Sequence, residues 1–362
     1  MSSITKIAKM ANVSIATVSR VINKTGYVKK ETRERVLKVV QELSYQPNAV
    51  ARSLKKGKTS LIGFIVPDIS NSFFTALAKG IEGVISKEGF NLILCNSENN
   101  VEKELAYIQA LSEKRVEGII LAPIGKYEDY RTLSSYKKLP IVLVDNYPLG
   151  LDLDVVITDN IKGAYLLTKY LIELGHTRIG IITGPLNQLT GIGRLLGYKR
   201  ALEELNVKIQ EDLIQEGDFK FVSGYNLTKK LLSLKPTPTA IFAANNLMSI
   251  GAMVAIKEVG LNIPEDISLV AFDDIDLLPL VNPPITVMSQ PTEKIGAIAA
   301  ELILKRIKGE KRGKQEKIIL ESKFIERASC KAIDNSERDL VLTDLNIMKK
   351  EESNVRDTKG GI

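Results

Sequence analysis

The chain has 362 residues, 44% of them hydrophobic, which is enough apolar length for two or three packed units and too much for one small core. Its formal charge of +7 is unevenly placed: residues 1–60 hold thirteen Lys and Arg against three acids, a net of +10, and the remainder holds 37 against 40, a net of −3. A short cationic head argues for polyphosphate or an acidic membrane surface as a partner, while no apolar run reaches the roughly 18 residues of a membrane span or the core of a signal peptide, so a cytoplasmic protein is expected.

In chain order, the first predicted elements are helices. Ile4, Ile7, Ala8 and Ala11 follow the i, i+3, i+4, i+7 spacing of one helix face. A second set is Val18, Val21 and Ile22, after a short break at Ala11-Asn12-Val13, with Ser14 placed to cap the second helix. Two short helices around a three-residue turn make a helix-turn-helix. A third helix is predicted from about Glu31 to Leu43, burying Val36, Leu37, Val40 and Leu43. Left outside at the start of the second helix are Ile15, Ala16, Thr17, Ser19 and Arg20. There Arg20 can bond guanine O6 and N7, and Ile15, Ala16 or the Thr17 methyl can touch a thymine methyl. Thr5, Ser14 and Asn23 complete the candidate DNA-contacting set in this head, residues 1–46.

Residues 47–60, PNAVARSLKKGKTS, form a linker in which Leu54 sits among Arg52, Ser53, Lys55, Lys56 and Lys58. Asn48, Val50, Ala51 and Leu54 would share a helix of about two turns, marginal in water and expected to form on a surface that supplies contacts. An apolar side chain flanked by cations suits a minor-groove wedge, with Asn48, Ala51 and Arg52 beside it; docking on the following domain is the alternative.

From Leu61 the pattern becomes an alternating α/β one. Apolar runs LIGFIVP, FNLILCN, GIILAP, IVLVDN, IGIITG, AIFAAN and ISLVAFDD alternate with helix-like segments such as FFTALAKGIEGVISKEG and GAMVAIKEVG. Continuous apolar strands separated by helices mean parallel sheets covered on both faces, and about 270 residues of this fits two lobes with ligand bound between them at strand C-terminal ends. Asp68 and Asn71 before Phe73, Ser97, Asp145 and Asn146, Asn245 and Asp273 all fall at such ends. With Arg194 they suit a polyhydroxylated or small polar ligand.

Catalytic readings fail on the same residues. GIGRLLG spaces its glycines one residue too long for a dinucleotide loop and lies a dozen residues from the preceding strand. No Walker loop or nucleophile elbow is present, and one histidine and two cysteines leave no metal cluster, so no cofactor and no enzyme activity is expected. His176, in ELGHTRIGII, reads as a packing or capping residue.

Taken in order, VSIATVSRVIN, ETRERVLKVVQELSYQPNAVARSL, IGFIVPDISNSFF, RVEGIILAP, LIELGHTRIGIITG, GRLLGYKRAL, TAIFAAN, IPEDISLVAFDD and SQPTEKIG resemble the motifs of the lactose and galactose repressor family of bacterial transcription regulators, across residues 3 to 330. The resemblance implies an operator-binding head, a hinge helix over residues 48–56 with Leu54 as the minor-groove leucine, and a periplasmic-sugar-binding-protein-like body over residues 61–330. It implies a homodimer on a palindromic operator and an effector that is a sugar, sugar acid or sugar phosphate, bound at Asp68, Phe73, Asp145, Arg194, Phe219, Asn245, Asp273 and Gln290, with Phe219 as the ring a sugar stacks on. Effector closure of the lobes would then alter dimer geometry and switch operator affinity.

Three positions depart from that pattern: Asn146 stands where many members have arginine, Asn246 where an aspartate is usual, and SNSFF has a serine where proline is common, a change in loop stiffness. The tail 331–362 has no family counterpart, and its polar end has the composition of a disordered segment. A transport receptor without a DNA role is the rival reading; it calls for a signal peptide and no cationic head.

Overall fold

The computed structural model describes residues 3–23, 25–45, 58–136, 139–310 and 315–333, and the chain divides into two compact units, Met1–Ser60 and Leu61–Ile362. The first unit holds α1 (Ser3–Met10), α2 (Ile15–Asn23) and α3 (Lys30–Glu42) around a small core of Ile7, Ala8, Ala11, Val18, Val21, Val36 and Val39. After α1 the chain turns through Asn12 at φ +48°, and the Val13 N–H donates to Ala8 O at 3.0 Å, closing the helix end in a left-handed residue that asparagine tolerates. The Ser14 hydroxyl then accepts from the Thr17 N–H at 3.1 Å and starts α2.

One expectation for α3 fails. Leu37 is 47% exposed, and Val39 is buried in its place. At about 100° per residue, positions 36, 39, 40 and 43 share a stripe while position 37 is turned away from it, and helices this short cover only a narrow stripe.

The second unit contains two six-stranded sheets. The first takes β1 (Leu61–Val66), β2 (Asn91–Asn96), β3 (Gly118–Leu121), β4 (Ile141–Val144), β5 (Asp154–Thr158) and the late β11 (Lys317–Leu320), in the order β11-β5-β4-β3-β1-β2, all parallel. The second takes β6 (Ile179–Thr183), β7 (Ile214–Glu216), β8 (Ala240–Ala243), β9 (Ser268–Phe272), β10 (Thr286–Ser289) and β12 (Lys323–Ile325), in the order β12-β10-β9-β8-β6-β7, with β12 alone antiparallel to its neighbour. The helices are α4 (Ser72–Ile85), α5 (Val101–Glu113), α6 (Asn160–Glu173), α7 (Leu189–Glu204), α8 (Phe221–Leu232), α9 (Asn246–Glu258) and α10 (Thr292–Lys308). Residues of α4, α5 and α10 complete the cores of the first lobe, and those of α6 to α9 the cores of the second.

The chain crosses between lobes three times: between β5 and α6, between β10 and α10, and between β11 and β12. The glycines of GIGRLLG lie inside α7, where they permit close helix contact: a Cβ on Gly197 would stand 2.2 Å from Ile161 O on α6. That role, not phosphate binding, accounts for them.

Candidate DNA-reading helix and ligand cleft

In the first unit Ile15, Ala16, Arg20 and Asn23 are exposed, and Thr5, Thr17 and Ser19 are half-buried. The start of α2 therefore presents an apolar edge, Ile15 and Ala16, followed one turn later by the Arg20 guanidinium. Ser14 and Thr17 share a hydroxyl hydrogen bond at 2.9 Å, and the Asn23 amide donates to Ser19 O at 2.8 Å and to Ser19 Oγ at 3.2 Å. Tyr27, 88% exposed just after α2, was not singled out from sequence, because a lone tyrosine beside Gly26 carries no periodic signal. Asn48, Ala51, Arg52 and Leu54 lie outside the described residues.

In the second unit the strand C-terminal ends of both sheets face a cleft of ≈ 570 Å³ including its open mouth. From the first lobe come Asp68, Asn71, Phe73, Phe74, Asn99, Pro123 and Asp145. From the second come Gln188, Thr190, Arg194, Asp218, Phe219, Lys220, Asn245 and Asp273. Three of these, Asp145 (φ +66°), Phe219 (φ +65°) and Asp273 (φ +70°), hold left-handed backbone, a cost of order 1–3 kcal/mol each that clusters at functional sites. Asp145 sits at the centre of a three-residue turn closed by the Asn146 N–H on Val144 O at 2.7 Å, which turns its carboxyl into the cleft.

The electrostatics centre on Asp145, Asp273 and Arg194. Arg194 Nε donates to Asn160 Oδ1 at 2.9 Å, its Nη1 donates to Ala244 O and lies 3.5 Å from Asp273 Oδ2, and the guanidinium stacks over the Phe272 ring at 3.9 Å. Asp273 is held further by Gln290 Nε2 at 2.5 Å, and Gln290 Oε1 accepts from Thr158 Oγ1. Burial raises the Asp273 carboxyl above its usual value, with Arg194 and the Gln290 hydrogen bond opposing. Burial pushes Asp145 up to about 7; Arg194 opposes and Asp273 adds to the rise, and no hydrogen bond takes part. The Thr190 hydroxyl is also buried, with no partner among the described residues. Asp145 and Thr190 are thus polar groups on the cleft wall whose hydrogen-bonding capacity is unspent.

The aromatic floor is built on one glycine. A Cβ at Gly184 would stand 1.8 Å from the Phe219 ring, so the ring lies directly on the backbone after β6. Asn245 donates to Phe219 O at 2.8 Å and accepts from the Met248 N–H at 2.9 Å, fixing the Phe219 loop to the start of α9.

Three residues proposed from sequence stand off the cleft wall. Ser97 is fully buried and donates to Val66 O at 3.1 Å. Gln290 acts through Asp273. Asn146 spends its amide on Pro123 O at 2.8 Å and its carbonyl on the Leu189 N–H at 3.1 Å. Conversely Phe74, Gln188, Thr190 and Lys220 line the cleft without having been singled out. Gln188 and Thr190 flank the start of α7, a signal legible once that helix start is placed.

A helix-turn-helix head together with a two-lobed body enclosing a polar, ring-lined cleft defines a ligand-responsive DNA-binding regulator. Residues 3–48 match the bacterial regulatory proteins of the lacI family, and residues 59–328 match the periplasmic binding proteins and sugar binding domain of that family; the chain belongs to the lacI family. Curated relatives include the HTH-type transcriptional repressor PurR of Aliivibrio salmonicida (strain LFI1238), 41% identical over 309 residues, covering 85% of this chain and 93% of that one, and PurR of Vibrio atlanticus (strain LGP32), 38% identical over 92% of this chain and all of that one. Among solved structures, the Lac repressor dimer bound to operator and the anti-inducer ONPF is 28% identical with a TM-score of 0.80, covering 90% of this chain and 98% of that one. The transcriptional regulator CelR–cellobiose complex is 30% identical with a TM-score of 0.70, covering 90% and 99%. The protein is accordingly a DNA-binding transcriptional repressor with an effector-binding body, not an enzyme. Among the described residues no helix is long and apolar enough to cross a membrane.

Proposed function

We propose that the protein is a cytoplasmic, homodimeric repressor of carbohydrate-utilisation genes, binding a palindromic operator through Ile15, Ala16, Thr17 and Arg20 and through the segment 47–60. Its operator affinity is switched by an uncharged, sugar-like effector in the cleft. The observation that carries the effector class is the Asp145 carboxylate, unspent and facing a cleft lined by four acids, Asp68, Asp145, Asp218 and Asp273, against two cations, Arg194 and Lys220. An acceptor of this kind takes hydroxyl donors, and the net negative charge opposes the acid and phosphate forms of a sugar. Phe219 supplies the ring and Thr190 a further hydroxyl. The cellobiose complex of CelR supports a sugar ligand in a body of this fold.

Fluorescence anisotropy of the full-length protein on DNA from its own upstream region tests this reading, run with neutral sugars, sugar acids, sugar phosphates and, because three phenyl rings also suit flat heterocycles, free nucleobases. A neutral sugar that shifts the wild-type binding curve and fails to shift that of Asp145→Ala is the expected result. A shift produced only by an acid, phosphate or nucleobase overturns the effector class; failure to bind any upstream DNA overturns the operator assignment.

A further inference from the structure

The three crossings between the lobes are covalent. Away from them, two hydrogen bonds between described residues span the cleft from one lobe to the other, and both are made by asparagine side chains. Asn246 Nδ2, at the start of α9, donates to Asn71 Oδ1, just before α4, at 2.9 Å. Asn146 Oδ1, after β4, accepts from the N–H of Leu189, the first residue of α7, at 3.1 Å. Asn71, Asn146 and Asn246 are all buried.

In each case a second bond fixes which end of the amide faces the other lobe. Asn71 Oδ1 also accepts from the Phe73 N–H at 3.0 Å and so must be oxygen; its partner at position 246 has to be a donor, which a carboxylate is not. Asn146 must offer oxygen to the Leu189 N–H and nitrogen to Pro123 O, a pairing that a carboxamide makes and a guanidinium does not. Two of the three positions where the sequence departs from its family resemblance, Asn146 and Asn246, thus bond across from one lobe to the other.

We infer that Asn71–Asn246 and Asn146–Leu189 are paired latches that hold the lobes closed before any effector arrives. Both latches are uncharged, so neither salt nor pH in the neutral range releases them. Because apparent affinity scales with the fraction of protein already in the binding-competent state, closed lobes let an effector bind without first shifting an open population.

The test is amide hydrogen exchange on the full-length protein without ligand, read at Leu189, with the N–H groups of β1 and β8 as reporters of intact cores. Asn246→Asp breaks the remote latch and leaves every atom bonded to Leu189 unchanged. If the lobes close as a unit, Leu189 exchanges about tenfold or more faster in Asn246→Asp than in wild type, while β1 and β8 keep their protection. Unchanged exchange at Leu189 in a folded variant reduces Asn246 to a local contact and overturns the inference. So does a Leu189 amide unprotected in the unliganded wild type, a measurement that needs no variant.

Discussion

Asp145 and Glu104 are two carboxyls pushed in the same direction for different purposes. Glu104, on α5, is fully buried and bonded to the Tyr130 hydroxyl, which in turn accepts from the N–H groups of Ile124 and Gly125 at 3.1 and 2.8 Å; burial raises it to about 7. Asp145 reaches about 7 at the cleft. An acid whose folded value lies above its unfolded one keeps its proton longer in the folded state, so the stability it contributes is present below the unfolded value near 4 and is lost as pH rises towards 7. Without effector, the melting temperature is expected to fall between pH 5 and 7.5, and Asp145→Asn and Glu104→Gln each to flatten that slope in a thermal scan. Effector binding through hydroxyl donors has the opposite sign: it favours ionised Asp145, so affinity rises by up to about tenfold per pH unit below 7 and levels above it. Calorimetric titrations at several pH values should show this rise in wild type and lose it in Asp145→Asn, while Glu104→Gln keeps it. Asp145 was legible because a carboxylate after a run such as IVLV falls at a parallel-strand end. Glu104 was not, since its burial depends on a tyrosine 26 residues on.

Elements were legible in proportion to how local their signal is. The long apolar strands and the helix-turn-helix could be read directly, whereas β7 (IQE) and β12 (KFI) are three residues each, and β11 (KIIL), with alternating exposed positions at a sheet edge, is a short run hemmed in by charged residues. β5 is fully buried yet opens on Asp154, a residue that reads as polar surface until Arg306 of α10 arrives to bond it twice, at 2.7 and 2.8 Å. The turn after β6 is the element on which the cleft floor depends. The Phe219 ring occupies the space a side chain at Gly184 would fill, while Asn245 holds the Phe219 main-chain carbonyl in place, so a Cβ at 184 has to be met by turning the ring. Gly184→Ala is therefore expected to displace Phe219. Overpacking of this kind costs about 1–3 kcal/mol, and losing the ring against a sugar should lower effector affinity by about tenfold or more, while operator binding without effector stays within about twofold of wild type. Calorimetry with the effector and anisotropy on operator separate the two effects; an unchanged effector affinity would remove Phe219 from the site.

At the scale of the whole molecule, the head carries the basic excess and the body the ligand, and their communication is a thermodynamic quantity. If effector changes operator affinity by some factor, operator must change effector affinity by the same factor. Operator binding should carry the signature of a cationic head: six to ten phosphate contacts lose about 10³ to 10⁵ in affinity between 50 and 200 mM salt. Arg20→Ala removes an exposed side chain of α2 proposed to read bases, and no cleft residue. Its expected effect is a loss of about 1–3 kcal/mol on the operator with a much smaller loss on random DNA, and an effector affinity, measured without DNA, equal to that of wild type. Titrating effector into wild type with and without saturating operator, and operator with and without saturating effector, closes the cycle. The two factors must agree at equilibrium, so what the cycle measures is their common size, and a mismatch would mean that a titration had not equilibrated. If Arg20→Ala keeps the wild-type coupling factor at weaker operator affinity, Arg20 sets operator affinity and takes no part in the coupling; a changed factor would make the head part of the switch.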